Sequence, residues 1–456
     1  MPISQNTQWG EMTQKEPTKE EELEMKRIRF CMQAGERLKD PRLNPMERKQ
    51  LTNQIKLARK HKFWDTQPVK KFLSDRVQKD GPIQHGKVED VAKVPAELPA
   101  GFEWVTIDMD KEEDANQVFQ LLRNHYVEDS EGIFRFDYPV DFLKWTLCVP
   151  GFNKDWHIGV KAAGKDSLLG FISGTPQKVV VNSETVKMAE INFLCVHKKL
   201  RSKKLAPILI KEVTRRVNLT NVWSAIYTSG DMIPSPFTFA PYFHRSLNPK
   251  KNVETGFSAI PSNEPMARYN KRLKLHGLQD MNLVGNPRLM ESKDIPAVCQ
   301  LYKNHMSKYN AHFKLNQNEI AHHLMPRPGV VYTLVFEGED DQGKKAITDF
   351  ISFYSLPSQI LKRQNHDHTQ MNIAYLYYYA FTKNSLTEMM KYVLHFAKEE
   401  ADVKYDVFNC LSIMDNHEFV RDLKFGVGDG TLNYYMFNYG LKDDYLRPNM
   451  VATVLV

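Results

Sequence analysis

Cysteine is scarce in this chain. Five thiols (Cys31, Cys148, Cys195, Cys299 and Cys410) are scattered over 456 residues, an odd number with no CxxC spacing. That usage excludes a disulfide framework and a zinc ribbon, and it fits a reducing compartment. No HExxH occurs. The histidine groupings His322-His323 and His366-Asp367-His368 read as surface loop, so no metal is expected. A glycine-rich loop ending in GK[ST] is missing too, which excludes a nucleotide-hydrolysing P-loop. No apolar run approaches the roughly 20 residues of a membrane span, and the start MPISQNTQWGEM lacks a signal h-region. The expectation is a soluble, cytoplasmic protein that is not transmembrane.

What the chain does have is length, aromatics and an uneven charge. Its 42% hydrophobic and 11% aromatic content suits a packed core of two or three domains or one large double domain. The net charge is +7, yet residues 26–62 alone hold twelve Lys/Arg against three Asp/Glu, so the rest is slightly acidic. This basic arm reads as helical pieces interrupted at Asp40-Pro41 and Asn44-Pro45. It is either the solvated face of an amino-terminal extension or a dock for an anionic surface such as a ribosome or a membrane. No sequence-specific nucleic-acid recognition is expected. Residues 1–25 are polar and read as a disordered tail.

The most telling stretch runs from Glu190 to Pro207, EINFLCVHKKLRSKKLAP. An apolar strand gives way to a cationic loop, and a helix follows over Ile208–Val217. A loop of that kind at a helix start forms an anion site, because amides, the positive helix end and lysines converge on one phosphate. The strand has a second copy in Ile373–Phe381, followed by a helix over Leu386–Glu399. Val118–His125 likewise returns as Val298–His305, and Phe171-Ile172-Ser173 as Phe350-Ile351-Ser352, at offsets near 180 residues. One repeat of that size implies two fused domains. Strands are expected near 104–107, 156–160, 168–174, 178–181, 186–196 and 222–227. In the second half they fall near 288–290, 330–336, 346–356, 371–381, 407–413 and 432–438. Strands and helices alternate in both halves, so the class is α+β, mixed around a central sheet. The copies differ where charge would matter. The first strand is followed by HKKLRSKK, the second by TKNSLTE, so a polyanionic ligand is expected only in the first half.

EINFLCVHKKLRSKKLAP closely resembles the signature of the eukaryotic glycylpeptide N-tetradecanoyltransferases (N-myristoyltransferases). Other segments are similar to the same family. FWDTQPV (63–69) resembles its FWxTQPV, NHYVEDS and FRFDY (124–138) its NxYVEDxxxxFRFxY, and YTSG (227–230) its YTAG. YFHRSLNP (242–249) resembles YWHRSLNP, and KFGVGDG (424–430) KFGxGDG. The resemblance runs from about residue 60 to the end. It implies a tandem of two GCN5-related acetyltransferase-like halves related by internal duplication. Residues 63–270 would form the acyl-CoA-binding half. Residues 271–456 would form a second half for peptide binding, carrying the carboxyl terminus.

The reaction implied is transfer of myristate from myristoyl-CoA to the amino-terminal glycine of proteins and peptides. Attack of an amine on a thioester needs oxyanion donors and a base. By resemblance, the donors are the main-chain N–H groups of Phe193 and Leu194, which calls for a bulge in the strand. The base is the terminal carboxylate, here on Val456. Lys62, Phe63, Trp64, Leu194, Cys195, Val196, Arg201, Ser202, Lys203, Lys204, Leu205 and Ala206 are the implied cofactor contacts. Tyr126, Val127, Glu128, Asp129, Phe134, Phe136, Asn192, Thr228, Gly230, Tyr242, His244, Ser352, Asp429 and Gly430 are the implied peptide contacts. Ser130 replaces an acidic residue that many members carry, which implies a weaker grip on basic peptides. An N-acetyltransferase of the same superfamily and a catalytically silent lipopeptide-binding module are the alternatives. The first conflicts with the duplicated architecture and terminal carboxylate, and intact signature segments oppose the second.

Overall fold

A computed structural model describes residues 18–362 and 366–456. The basic arm forms two helices, Lys19–Leu38 and Pro45–Ala58, each opened by a capping box, Thr18 with Glu21 and Asn44 with Glu47. Pro45 occupies the first helical position, where its missing N–H has no intrahelical bond to lose. Residues 19–25, placed in the tail by the sequence reading, are therefore the first turns of a helix, and residues 1–17 lie outside the described residues. The arm is anchored to the body. The Arg27 guanidinium makes two hydrogen bonds to the Asp65 carboxylate (3.2 and 2.9 Å), and Phe30 packs edge-on against Phe72.

Among the described residues, one fourteen-stranded sheet spans both halves. From one edge run Phe102–Thr106, His157–Ala162, Leu168–Val181, Glu184–Val196 and Ser224–Ser229. From the other run Asn286–Leu289, Val331–Glu339, Lys345–Ser355, Ile373–Ala380 and Val407–Leu411. The two series match strand for strand, as the repeat predicts. In the middle the halves exchange strands: Gly426–Phe437 pairs with Ser224–Ser229, and Thr238–Ser246 pairs with Val407–Leu411. The two exchanged strands also pair with each other. Helices Glu112–His125 and Ile295–Met306 carry the repeated Val118–His125 and Val298–His305 segments.

The expected break between 174 and 178 does not exist; Leu168–Val181 is one strand. Pro176 pairs with Ala189 on one side, and the neighbouring strand on the other side ends opposite Ser173. A proline there removes no ladder bond. The strand Thr238–Ser246 escaped the reading because its face pattern is irregular, with buried, partly buried and exposed residues in no simple alternation.

Within each half the signature strand pairs in parallel with the next one and then diverges. Glu184–Val196 pairs with Ser224–Ser229 only from Met188 to Ile191, and Ile373–Ala380 pairs with Val407–Leu411 only from Ile373 to Tyr375. The divergence opens a notch beside the strand end, with a helix over it.

Candidate active site

The signature strand is bulged at the notch. Phe171 faces Cys195 and Ser173 faces Asn192, so Ile172 stands opposite both Phe193 and Leu194. Phe193 takes φ +56°, a left-handed conformation that is uncommon for an aromatic residue. Ser173 braces the bulge by donating its hydroxyl to the Asn192 carbonyl at 2.9 Å. The second copy repeats the bulge, with Ile351 facing Tyr379 and Phe353 facing Leu376. There Ser352 donates to the Tyr378 carbonyl (3.0 Å) and accepts the Tyr378 N–H (3.1 Å), and every backbone φ stays negative. The second bulge thus satisfies the Tyr378 N–H internally, with its own serine.

The loops after the two strands differ in the same sense. After the first, a short turn over Lys198–Lys203 leads to Lys204 at φ +56°, and helix Leu205–Asn218 begins with no side-chain cap. Its leading N–H groups, less the one that Pro207 lacks, are unclaimed beside the exposed Arg201, Ser202, Lys203 and Lys204. After the second strand, the buried Asp349 carboxylate accepts the N–H groups of Thr382 (2.5 Å), Lys383 (3.0 Å) and Asn384 (3.3 Å). Ser385 caps the following helix, and Lys383 pairs with Asp341. Asp349 directly precedes Phe350, just as Gly170 precedes Phe171, so glycine in the first copy corresponds to a carboxylate in the second. An aspartate already fills the second loop.

A cavity of about 1030 Å³ joins the bulge, the first loop and the seam between the halves. It brings together Trp64, Tyr126, Val127, Glu128, Phe136, Asn192, Phe193, Leu194, Cys195, Val196, Arg201, Lys204, Ala206, Thr228, Gly230, Tyr242, Gly430 and Val456. Other residues implied by resemblance lie outside that lining. Phe63 packs edge-on against Trp64, next to the exposed Lys62. Leu205 is buried beneath the loop, and Ser202 and Lys203 face solvent. The Asp129 carboxylate accepts the N–H groups of Glu131, Ile133 and Phe134 and so shapes its own turn. Phe134 packs on Phe257. His244 is held by Asn409 (2.6 Å) and stacks on Tyr242. Ser352 is buried at the second bulge, and the carbonyl of Asp429 accepts Lys49. Space is tight at two of the three glycines of GVGDG, Gly428 and Gly430. A Cβ at Gly428 would lie 2.1 Å from His244 Nε2, and one at Gly430 would crowd the Tyr242 ring at 3.3 Å.

Charge in the cavity is arranged by its rim. Glu128 is hydrogen-bonded by Lys198 and by Arg135, which hold its carboxyl down to about 2. Arg201 donates to the His125 carbonyl at 2.7 Å. Burial and the nearby His197, Lys198, Arg135 and Arg201 push the His125 imidazole down to about 4, so it is neutral near pH 7.

The carboxyl terminus runs indoors. Val451 to Leu455 are buried, and Val456 lines both the main cavity and a small internal one behind it. In the small cavity lies Glu190, which the sequence reading passed over. Its carboxyl accepts Asn192 Nδ2 (2.8 Å) and Gln177 Nε2 (3.0 Å). Burial pushes it up to about 7 against those donors and the Val456 N–H. A charged residue flanked by the apolar Met188-Ala189 and Ile191 was the available signal.

Among the described residues no group of three or more His, Cys, Asp or Glu side chains is arranged for a metal, and no helix is long and apolar enough to cross a membrane. A duplicated sheet with a bulged strand, an uncapped helix start and a notch between diverging strands defines a tandem acetyltransferase-like fold. The comparisons with known proteins are specific. Residues 82–240 match the Myristoyl-CoA:protein N-myristoyltransferase N-terminal domain and residues 254–453 its C-terminal domain. The glycylpeptide N-tetradecanoyltransferase 1 of Arabidopsis thaliana is 44% identical over 402 residues, covering 88% of this chain and 90% of that protein. The Plasmodium falciparum enzyme is 42% identical over 398 residues, covering 87% and 93%. A crystal structure of Saccharomyces cerevisiae N-myristoyltransferase with bound myristoyl-CoA superimposes with a TM-score of 0.79 at 38% identity, covering 87% of this chain and 95% of that one. The chain belongs to the N-myristoyltransferase family.

Proposed function

We infer that this chain transfers the tetradecanoyl group of myristoyl-CoA to the amino-terminal glycine of peptides and proteins. The observation that carries the reading is the convergence, in one cavity, of the Phe193-Leu194 bulge, the uncapped cationic helix start and the buried chain terminus.

Arg201, Ser202, Lys203, Lys204, Leu205 and Ala206 hold the phosphates of the acyl donor through charge and main-chain N–H groups. Lys62, Phe63, Trp64, Cys195 and Val196 flank the rest of the donor. The thioester carbonyl lies against the bulge, where the N–H groups of Phe193 and Leu194 stabilise the oxyanion as it forms. Tyr126, Val127, Glu128, Asp129, Phe134, Phe136, Tyr242, His244, Ser352, Asp429 and Gly430 form and brace the peptide side. Asn192, Thr228 and Gly230 stand around the glycine amine. The terminal carboxylate of Val456 accepts the ammonium proton, the freed amine attacks the carbonyl carbon, and the tetrahedral intermediate expels CoA as the amide forms. The attacking nitrogen gives up its remaining extra proton to the departing sulfur, so CoA leaves as the thiol, and the proton taken by Val456 is released to solvent.

Mass spectrometry of a GxxxS peptide incubated with myristoyl-CoA tests the reading. A myristoyl adduct is expected. An adduct with acetyl-CoA but not myristoyl-CoA would mean a short-chain acetyltransferase, and no product with either would mean a binding module. The setting proposed is the cytoplasm, consistent with five unpaired cysteines. The basic helices at 26–62 are proposed to contact an anionic surface such as the ribosome, supported by their excess of nine positive charges.

A further inference from the structure

One end of the main cavity is closed by a wall assembled from segments far apart in sequence. Helix Leu205–Asn218 lines the cavity from Ala206, beside the cationic loop, to Asn218 at the opposite end. At about 1.5 Å per residue that run is about 18 Å long. At the Asn218 end the signature strand and Ser224–Ser229 are still hydrogen-bonded, with Ala189 opposite Ala225, so the notch is shut there. Trp223, immediately before the paired strand, lines the cavity at this end.

The indole is held from several sides. Its Nε1–H donates to Asn221 Oδ1 at 2.8 Å, and the Trp223 carbonyl accepts Asn438 Nδ2 at 3.1 Å. The same Asn438 amide clasps the main chain of Gln84, accepting its N–H (2.8 Å) and donating to its carbonyl (3.0 Å). That clasp brings Gly86, which does not line the cavity, onto the six-membered ring. A Cβ at Gly86 would fall 2.2 Å from Trp223 Cζ3. Only glycine lets the backbone come this close, and any side chain there must drive the indole away.

We propose that Trp223 is the stop that sets the acyl-chain length this cavity accepts, and that Gly86 sets where the stop stands. The inference rests on the acyl-transfer reading and adds its length determinant. A chain that ends short of the indole leaves a void with no contacts on one side, and a longer one must displace a ring clamped from behind.

The test compares kcat/KM for acyl-CoAs of twelve, fourteen and sixteen carbons on one glycine peptide. For Trp223→Leu the sixteen-to-fourteen ratio should rise by about tenfold or more, the usual discrimination of a methylene in an apolar pocket. For Gly86→Ala the ring is driven inward, and the twelve-to-fourteen ratio should rise instead. Trp223→Phe, the gentlest change, should shift the ratio in the same direction as Trp223→Leu, and it keeps the test alive if a bolder variant fails to fold. Unchanged ratios, or an equal loss at all three lengths, would overturn the proposal. If no donor of any length yields acyl peptide, the transferase reading fails. Calorimetric Kd values for the three acyl-CoAs would then still decide whether Trp223 measures length.

Discussion

Residue by residue, the site depends on groups that side-chain identity does not reveal. The Val456 role belongs to its main chain. Amidating the terminus, or extending it beyond Val456, should suppress turnover by ~10²–10⁴, the usual cost of losing a general base, while myristoyl-CoA binding stays intact. Val456→Leu should be nearly silent. Normal single-turnover kinetics in the extended enzyme would exclude the terminal carboxylate as base. Glu190 makes a separate, thermodynamic prediction. Its folded pKa of about 7 lies above its ordinary 4.5. Its contribution to stability is therefore full below about pH 4.5 and is lost as pH rises through about 7. At about 1.4 kcal/mol per unit the loss is roughly 3 kcal/mol. Glu190→Gln abolishes that slope, so urea denaturation should show the variant gaining on the wild type between pH 5 and pH 7.5. A pH-independent difference would mean the Glu190 carboxyl is ordinary.

At the scale of elements, two strand–loop–helix units descend from one pattern and end in opposite states. The first exposes its amides and cations, and the second satisfies its own with Asp349 and Ser385. Arg201→Glu combined with Lys203→Glu should weaken acyl-CoA binding strongly, since charge-assisted bonds contribute on the order of 1.5–3 kcal/mol each. Lys383→Glu should change it little. Equal losses at both loops in a calorimetric titration would contradict a single donor site. The charge contrast between HKKLRSKK and TKNSLTE was plain in the sequence. The reason the second loop can dispense with cations was not, because Asp349 lies 33 residues before Thr382 in the chain and meets it only across a strand pair. The signature strand and its bulge divide the same way. EINFLCV announces a strand, but φ +56° at Phe193 arises from register against Ile172 and the brace at Ser173, which no local propensity encodes.

Across the whole molecule, the exchanged strands Thr238–Ser246 and Gly426–Phe437 tie the halves into one sheet. Neither half can complete its edge alone, and each would expose unpaired strand groups. Unfolding should therefore be a single calorimetric transition, and residues 1–253 expressed alone should not give a stable fold. Two separate transitions, or a stable first half, would show that the exchange adds nothing. The sequence by itself determined the duplication, the mixed α and β class, the family signature and the one-sided charge, because these follow from short-range pattern and from residues repeated at a near-constant offset. Only the tertiary structure decided the strand exchange, the burial of Glu190, the inward path of Val451–Val456 and the wall formed by Gly86, Trp223 and Asn438. Each of these depends on contacts between segments tens to hundreds of residues apart, where packing and register, not local propensity, select the arrangement.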